Sequence, residues 1–195
     1  MIDLSRTGNV VRTTRETKVQ AKVEIDGTGN AMAKTTIPFL DHLLVTLAAH
    51  SLVDIEVVAS GDLAHHVVED VAITLGEAMS KALGDRDGVT RFGWAVVPMD
   101  DALALASMDL ARRPFTSTDL KIANSSIEGL KSEDIYHFVN SLATSLEASL
   151  HLSVQYGGND HHKVEAAFKA LALSLRQACT IDTRRKGPPS SKGAV

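Results

Sequence analysis

"HHVVED" at residues 65–70 and "HHKVEA" at residues 161–166 are one arrangement, His-His-x-x-Glu, written twice. The spacing carries over residue by residue. His65 to His161, His66 to His162 and Glu69 to Glu165 are each 96 residues apart, and an upstream pair, His42 in "DHLLVTLA" and His137 in "YHFVNSLA", is separated by 95. Four ligand-type residues kept in register over two stretches predict a tandem duplication.

The chain around these marks reads the same way in both copies. Residues 17–25, "TKVQAKVEI", alternate apolar and polar as a half-buried strand does, and "DGTG" behind them is a turn signal. "PFLDHLLVTLAAHS" has helical periodicity, "LVDIEVVAS" reads as a strand, and "HHVVEDVAITLGEAMSKALG" is an amphipathic helix that stops near Gly84. In the second copy "ALALASMDL" is strand-like and "SEDIYHFVNSLATSLEA" is a helix opening at Ser132. "SLHLSVQYG" then alternates, and "HHKVEAAFKALALSLRQA" is a long helix. The prediction is an α/β (α+β) fold, a two-layer sandwich built from two similar halves, each a helix pair on a sheet face. Residues 1–92 are expected to form the first half and 93–180 the second. Residues 181–195, rich in Pro, Gly and Ser, form an irregular, flexible tail.

Bulk properties restrict the function. A chain of 195 residues, 44% hydrophobic and 23% charged, can bury about 70% of its unfolded surface, enough for one or two ordinary cores. A formal charge of -4 argues against a general nucleic-acid or membrane-surface binder. Cys179 is the only cysteine, so no internal disulfide framework exists and any metal site must use nitrogen and oxygen ligands. "MIDLSRTGNV" has no apolar signal core and no run approaches a membrane span, which points to a reduced, cytoplasmic setting.

Helical geometry says how the ligand-type residues point. At 100° per residue His65 and Glu69 share a face, as do His161 and Glu165, while His66 and His162 point away. Two metals are therefore expected rather than one, each taking a His and a Glu from one helix and further histidines from elsewhere, with His42 and His137 as additional donors. Six imidazoles and two carboxylates suit Mn, Fe, Co, Ni or Zn better than Mg or Ca. His50 and His151 read as hydrogen-bonded packing residues, and Cys179 as a small buried apolar one.

"RTTRET", "FLDHLL", "HHVVED", "RFG", "VPMDDALA", "ARRPF", "GGNDHHKVEAAFKALA" and "PPSSKGAV" follow one another in the order seen in imidazoleglycerol-phosphate dehydratases, and the sequence resembles that family from about Arg6 onward. The resemblance implies two similar α/β halves and a late dehydration in histidine biosynthesis, from imidazoleglycerol phosphate to imidazoleacetol phosphate. It also implies two Mn²⁺ per active site, and homo-oligomers in which trimers build 24-mers with metal sites between chains. It places metal ligands at His42, His65, His66, Glu69, His137, His161, His162 and Glu165. Phosphate contacts are implied at Arg91, Arg113, Lys169 and Lys192, with the Ser190 and Ser191 hydroxyls completing an anion cradle. The chain departs from the family in two places: Thr46 stands where a Gln is usual, and the segment from "GDL" to "HH" is shorter and lacks an Asp just before the histidines.

The chemistry asks for such a constellation. The proton to be lost is not acidic and no carbonyl assists the departing hydroxyl, so the electrons must come from the substrate's imidazole. A metal-stabilised imidazolate would push out the hydroxyl to give a diazafulvene-like intermediate, and a base would then take the carbon proton. Candidate acid–base groups are Glu16, which would also touch substrate, Glu165 and Asp100. A rival dinuclear metallohydrolase would bridge its metals with a carboxylate, and neither of the two ligand-type carboxylates is an obvious bridge; for a metal-storage protein the phosphate motifs would be superfluous.

Overall fold

A computed structural model describes residues 6–193; residues 1–5, at the start of the expected first half, and Ala194 and Val195, at the end of the tail, lie outside the described residues. The first half begins with β1 (Thr7–Thr13), β2 (Thr17–Glu24) and β3 (Ala31–Lys34). It continues with α1 (Pro38–Ser51), β4 (Asp54–Gly61) and α2 (Ala64–Leu83). The second runs β5 (Phe92–Met99), β6 (Ala102–Asp109), β7 (Phe115–Asp119), a small hairpin of β8 (Ser126–Ile127) and β9 (Leu130–Lys131), α3 (Ser132–Ser145), β10 (Ser149–Tyr156) and α4 (Asp160–Cys179).

The two main sheets repeat one topology, β1-β2-β4-β3 and β5-β6-β10-β7, antiparallel throughout except for the parallel outer pairs β3/β4 and β7/β10. Alternation decides which face is covered. On β2, Val19, Ala21 and Val23 are buried while Gln20 and Lys22 between them are exposed, and on β6 Ala104, Ala106 and Met108 are buried while Leu105 is half-buried and Ser107 exposed. α2 lies on β1 and β2, and α4 on β5 and β6. The close approach is made at one glycine in each half, Gly8 against α2 and Gly93 against α4. A Cβ there would stand 1.9 Å from the carbonyl oxygen of Ala78 or of Ser174.

Each half is thus a sheet with a helix pair on it, and helices are what meet between the halves: α1 packs on α4, and α2 on α3. One hydrophobic core runs through both halves, including Leu43, Leu44 and Leu47 of α1, Phe138 of α3, and Phe168 of α4, whose ring centroid is 5.8 Å from that of Phe138. Fully burying each such side chain contributes roughly 1.5–3 kcal/mol. A charged residue also crosses the join. Arg86, 1% exposed, donates to the carbonyl oxygens of Leu146 (2.6 Å) and Glu147 (3.0 Å), tying the end of α2 to the connection after α3.

Ser132 opens α3 as expected, and its hydroxyl donates to Asn124 O (2.5 Å). One local expectation needs correction, the end of this helix, read through Ala148. The same helix stops at Ser145, because Glu147 takes a left-handed backbone (φ 56°) and Ala148 N returns to Ala143 O. No helix among the described residues is long and apolar enough to cross a membrane.

Candidate metal centres and anion recess

The cross-packing of the halves assembles the ligand-type side chains. His42, on α1, meets His161 and Glu165, on α4; His137, on α3, meets His65 and Glu69, on α2. Neither cluster belongs to one half alone. Glu165 Oε2 is 3.3 Å from His161 Nε2 and 3.7 Å from His42 Nε2, and Glu69 Oε1 is 3.3 Å from His137 Nε2. His137 Nε2 is buried without a hydrogen-bond partner, a costly arrangement for a nitrogen lone pair unless something electrophilic occupies the cluster. Two imidazoles and a carboxylate at each cluster fit a divalent transition metal.

The second histidine of each motif turns away from its neighbour's cluster, as the helical angle requires. His66 Nδ1 meets Asp62 Oδ1 at 2.8 Å, with Glu16 Oε2 at 3.7 Å. His162 Nδ1 meets Asp101 Oδ1 at 2.6 Å, and its Nε2 lies 3.3 Å from Asp100. The hydrogen bond to Asp62 holds His66 above the usual imidazole range and Asp62 below the usual carboxylate range. Asp101 is pulled further down, by His162 and by the N–H groups of Gly158 and Asn159. Glu16 and Asp100 are both largely exposed beside these outer histidines.

Glu165 differs from the other carboxylates. Burial pushes it up, but the hydrogen bond and charge of Lys169, 2.8 Å away, and the charges of His42 and His161 outweigh that and leave it below its ordinary value. Lys169, expected among the phosphate contacts, is thereby engaged with Glu165, and Nζ also lies 3.1 Å from Met99 Sδ. The remaining expected contacts do converge. Arg91, Arg113, Ser190, Ser191 and Lys192 line a recess of about 450 Å³, joined by Arg112 and Ala111. Arg91 closes it from behind: Nε and Nη2 chelate Asp109 (2.6 and 3.0 Å) while Nη1 donates to Pro189 O (3.0 Å), and Gly88 N donates to Gly187 O (3.1 Å), so the tail is strapped to the 88–91 loop.

Sequence reasoning missed the carboxylates that hold the histidines. Asp62, Asp101 and Asp134, which bonds His65 Nδ1 at 2.6 Å, are separated in sequence from some of the rings they hold by as many as 69 residues; only Asp62, four residues before His66, carried a local signal. Within the short segment before "HH" Asp62 already holds His66, and Asp134 holds His65 from α3. Thr46 is buried on α1 and faces no ligand cluster residue by hydrogen bond. His50 and His151 have no side-chain hydrogen bond among the described residues, and His151 is exposed on β10 with its ring against Phe115; for both, the hydrogen-bonded role is corrected. Cys179 is buried, and burial pushes its thiol up to about 12.

The chain is similar to known proteins over most of its length. The sequence model of the imidazoleglycerol-phosphate dehydratase family matches residues 35–175. An imidazoleglycerol-phosphate dehydratase of Methanothermobacter thermautotrophicus is 50% identical over 187 residues, 94% of this chain and 95% of its own. One from Dehalococcoides mccartyi is 46% identical over 191 residues, 97% of each chain. A crystal structure of the Pyrococcus furiosus protein in complex with (S)-C348 superposes with a TM-score of 0.84 at 38% identity, covering 95% of this chain and all of that one.

Proposed function

The chain belongs to the imidazoleglycerol-phosphate dehydratase family, lyases of histidine biosynthesis, and from that premise we propose how its residues divide the work of converting imidazoleglycerol phosphate to imidazoleacetol phosphate. The observation that carries the reading is the pair of His-His-Glu clusters, each built across the two halves. We assign one Mn²⁺ to His42, His161 and Glu165 and another to His65, Glu69 and His137. His66 and His162, turned away from the clusters of their own chain, serve sites on neighbouring copies, in a cytoplasmic 24-mer built of trimers. Cations held by these residues would supply Lewis acidity toward the substrate's imidazole ring.

The protein's own groups do the rest. Arg113, Lys192 and the Ser190 and Ser191 hydroxyls hold the phosphate in the recess, and Arg91 holds the tail that carries three of them. The 1–92 and 93–180 halves act as one duplicated unit with the 181–195 tail as the phosphate clasp. The hydroxyl departs from the substrate to leave a diazafulvene-like stage, and a carboxylate then takes the proton from carbon to give the enol that becomes the ketone. Glu16 is the base best placed for this: it is exposed beside His66, whereas Glu165 Oε1 is tied to Lys169. Asp100, beside His162, is the third acid–base group.

Turnover separates this reading from its rivals. Mn²⁺-loaded protein given imidazoleglycerol phosphate forms the ketone without releasing phosphate, and chelation abolishes the reaction. Phosphate release would mark a hydrolase, and inertness with full metal uptake a storage protein. Replacing Glu16 by Gln should leave bound metal unchanged and lower kcat about 10²- to 10⁴-fold, the range of a general base; undiminished kcat would remove Glu16 from the proton path.

A further inference from the structure

The two clusters use equivalent ligands, but the residues behind them are not equivalent. His65 gives Nδ1 to Asp134, which is 1% exposed and sits in the first turn of α3, where the helix N-terminus favours negative charge. Asp134 lies three residues before His137. Three residues before His42, the matching position of α1, is Phe39, whose ring centroid is 5.3 Å from that of His161. His65 therefore leans on a buried carboxylate where His161 leans on a phenyl ring. The nearest acidic group to His161 Nδ1 is Glu128 Oε1, at 3.4 Å, on a side chain 61% exposed.

A second asymmetry lies on the other side of the ligands. Glu165 has Lys169 Nζ at 2.8 Å, one helical turn on; the matching position after Glu69 is Ile73. An ammonium group on a ligand carboxylate opposes a cation arriving at the same group. The α1/α4 cluster is the drier one, with Glu165 12% exposed against 39% for Glu69, and dryness strengthens its electrostatics. That advantage acts on the repulsion from Lys169 as well as on the attraction, and nothing there replaces Asp134.

We infer that Asp134 is a positioning residue that makes His65–Glu69–His137 the tighter of two unequal metal sites, while Phe39 and Lys169 leave His42–His161–Glu165 the weaker, exchangeable one. With a carboxylate as acceptor, the imidazole proton of His65 sits on Nδ1, so Nε2 presents its lone pair in a fixed orientation. Carboxylates in this role change metal affinity about 10- to 100-fold. The inference rests on reading both clusters as metal sites.

Titration of chelator-stripped, full-length protein with Mn²⁺ tests it, with free ion followed by electron paramagnetic resonance and heat by calorimetry. Two classes of equal number are expected, about 10-fold or more apart. Asp134→Asn should weaken the tight class about 10- to 100-fold and leave the weak class where it was. Lys169→Met should tighten the weak class alone, an arm that stands even if the Asp134 variant does not fold. A single class of identical sites, or equal weakening of both classes by Asp134→Asn, overturns the ordering. So does a change confined to the melting temperature of the metal-free variant, which would mark Asp134 as merely structural. Absence of any Mn²⁺ binding would instead overturn the metal reading on which the ordering rests.

Discussion

Arg91 and Arg6 stand 85 residues apart, each immediately before the first strand of its half, and each is gripped in the same way. Nε and Nη2 of Arg91 chelate Asp109 and Nη1 donates to Pro189 O; Nε and Nη2 of Arg6 chelate Asp26 and Nη1 donates to Cys179 O at 2.7 Å. Their surroundings differ. Beside Arg91 the chain has Arg112 and Arg113, and the recess of about 450 Å³ has no carboxylate side chain among the described residues that line it. At the matching places beside Arg6 stand Gly27 and Thr28, and the smaller recess, about 190 Å³, is lined by Asp26 along with Arg6 and Arg176. The arginine grip is thus a structural feature of both halves, whereas only the recess beside Arg91 gathers Arg112, Arg113 and Lys192 as well. The histidine clusters differ from the recesses in that each draws residues from both halves.

The largest expected effect separates those two recesses. Charge-assisted hydrogen bonds contribute roughly 1.5–3 kcal/mol, so Arg113→Ala and Lys192→Ala should each lower kcat/KM about 10- to 100-fold. Arg6→Ala should leave kcat/KM unchanged and lower the melting temperature, because its donors are occupied by Asp26 and a backbone carbonyl. Steady-state kinetics on the three variants decides it. An equal loss of kcat/KM from Arg6→Ala would mean that the two recesses are functionally alike.

Next in size is a test of the shared framework. Gly8→Ala and Gly93→Ala each drive a methyl group into a helix carbonyl 1.9 Å away, so strand and helix must separate. Overpacking of this kind costs about 1–3 kcal/mol, which both variants should show to similar extents in thermal melts of metal-free protein. Tolerance at one position and not at the other would show that the helix–sheet packing of the halves has diverged.

How much of this could be read from sequence follows from the range of the interactions. β2, β4, β6 and β10 were visible because each buries one face and exposes the other, and the four helices because their apolar positions repeat at helical spacing. β3 and β7 were not, because these outer strands are short or carry no clean alternation: Ala31–Lys34 is almost wholly exposed and Phe115–Asp119 buries nothing fully. At the site, the i, i+4 pairs His65/Glu69 and His161/Glu165 are local and legible. That His42 joins the second pair and His137 the first is a consequence of α1 meeting α4 and α2 meeting α3, which no local pattern encodes. Asp134 escaped notice for the same reason: in sequence it is one of two acids opening a helix, and only packing against α2 brings it to His65.

The smallest expected effect is acid sensitivity carried by the Arg6 grip. The hydrogen bond from Arg6, and then its charge, hold the Asp26 carboxyl below its ordinary value. A carboxylate whose folded value is depressed stabilises the fold above its unfolded value, near 3.9, and loses that contribution as pH falls through the lower folded value. Asp26 is about half exposed, so solvent screening limits the contribution to about 1 kcal/mol or less. Metal-free wild type and Asp26→Asn should therefore differ by a small, constant melting-temperature gap from pH 7 to about pH 5, and the gap should close as the pH drops below about 4. Metal-free protein is needed because proton competition at the histidine clusters would add a pH dependence of its own. Thermal melts across that range decide the sign. A gap that widens on acidification would contradict the charge pairing, and one that persists unchanged to pH 2 would assign the stabilisation to hydrogen-bond geometry alone.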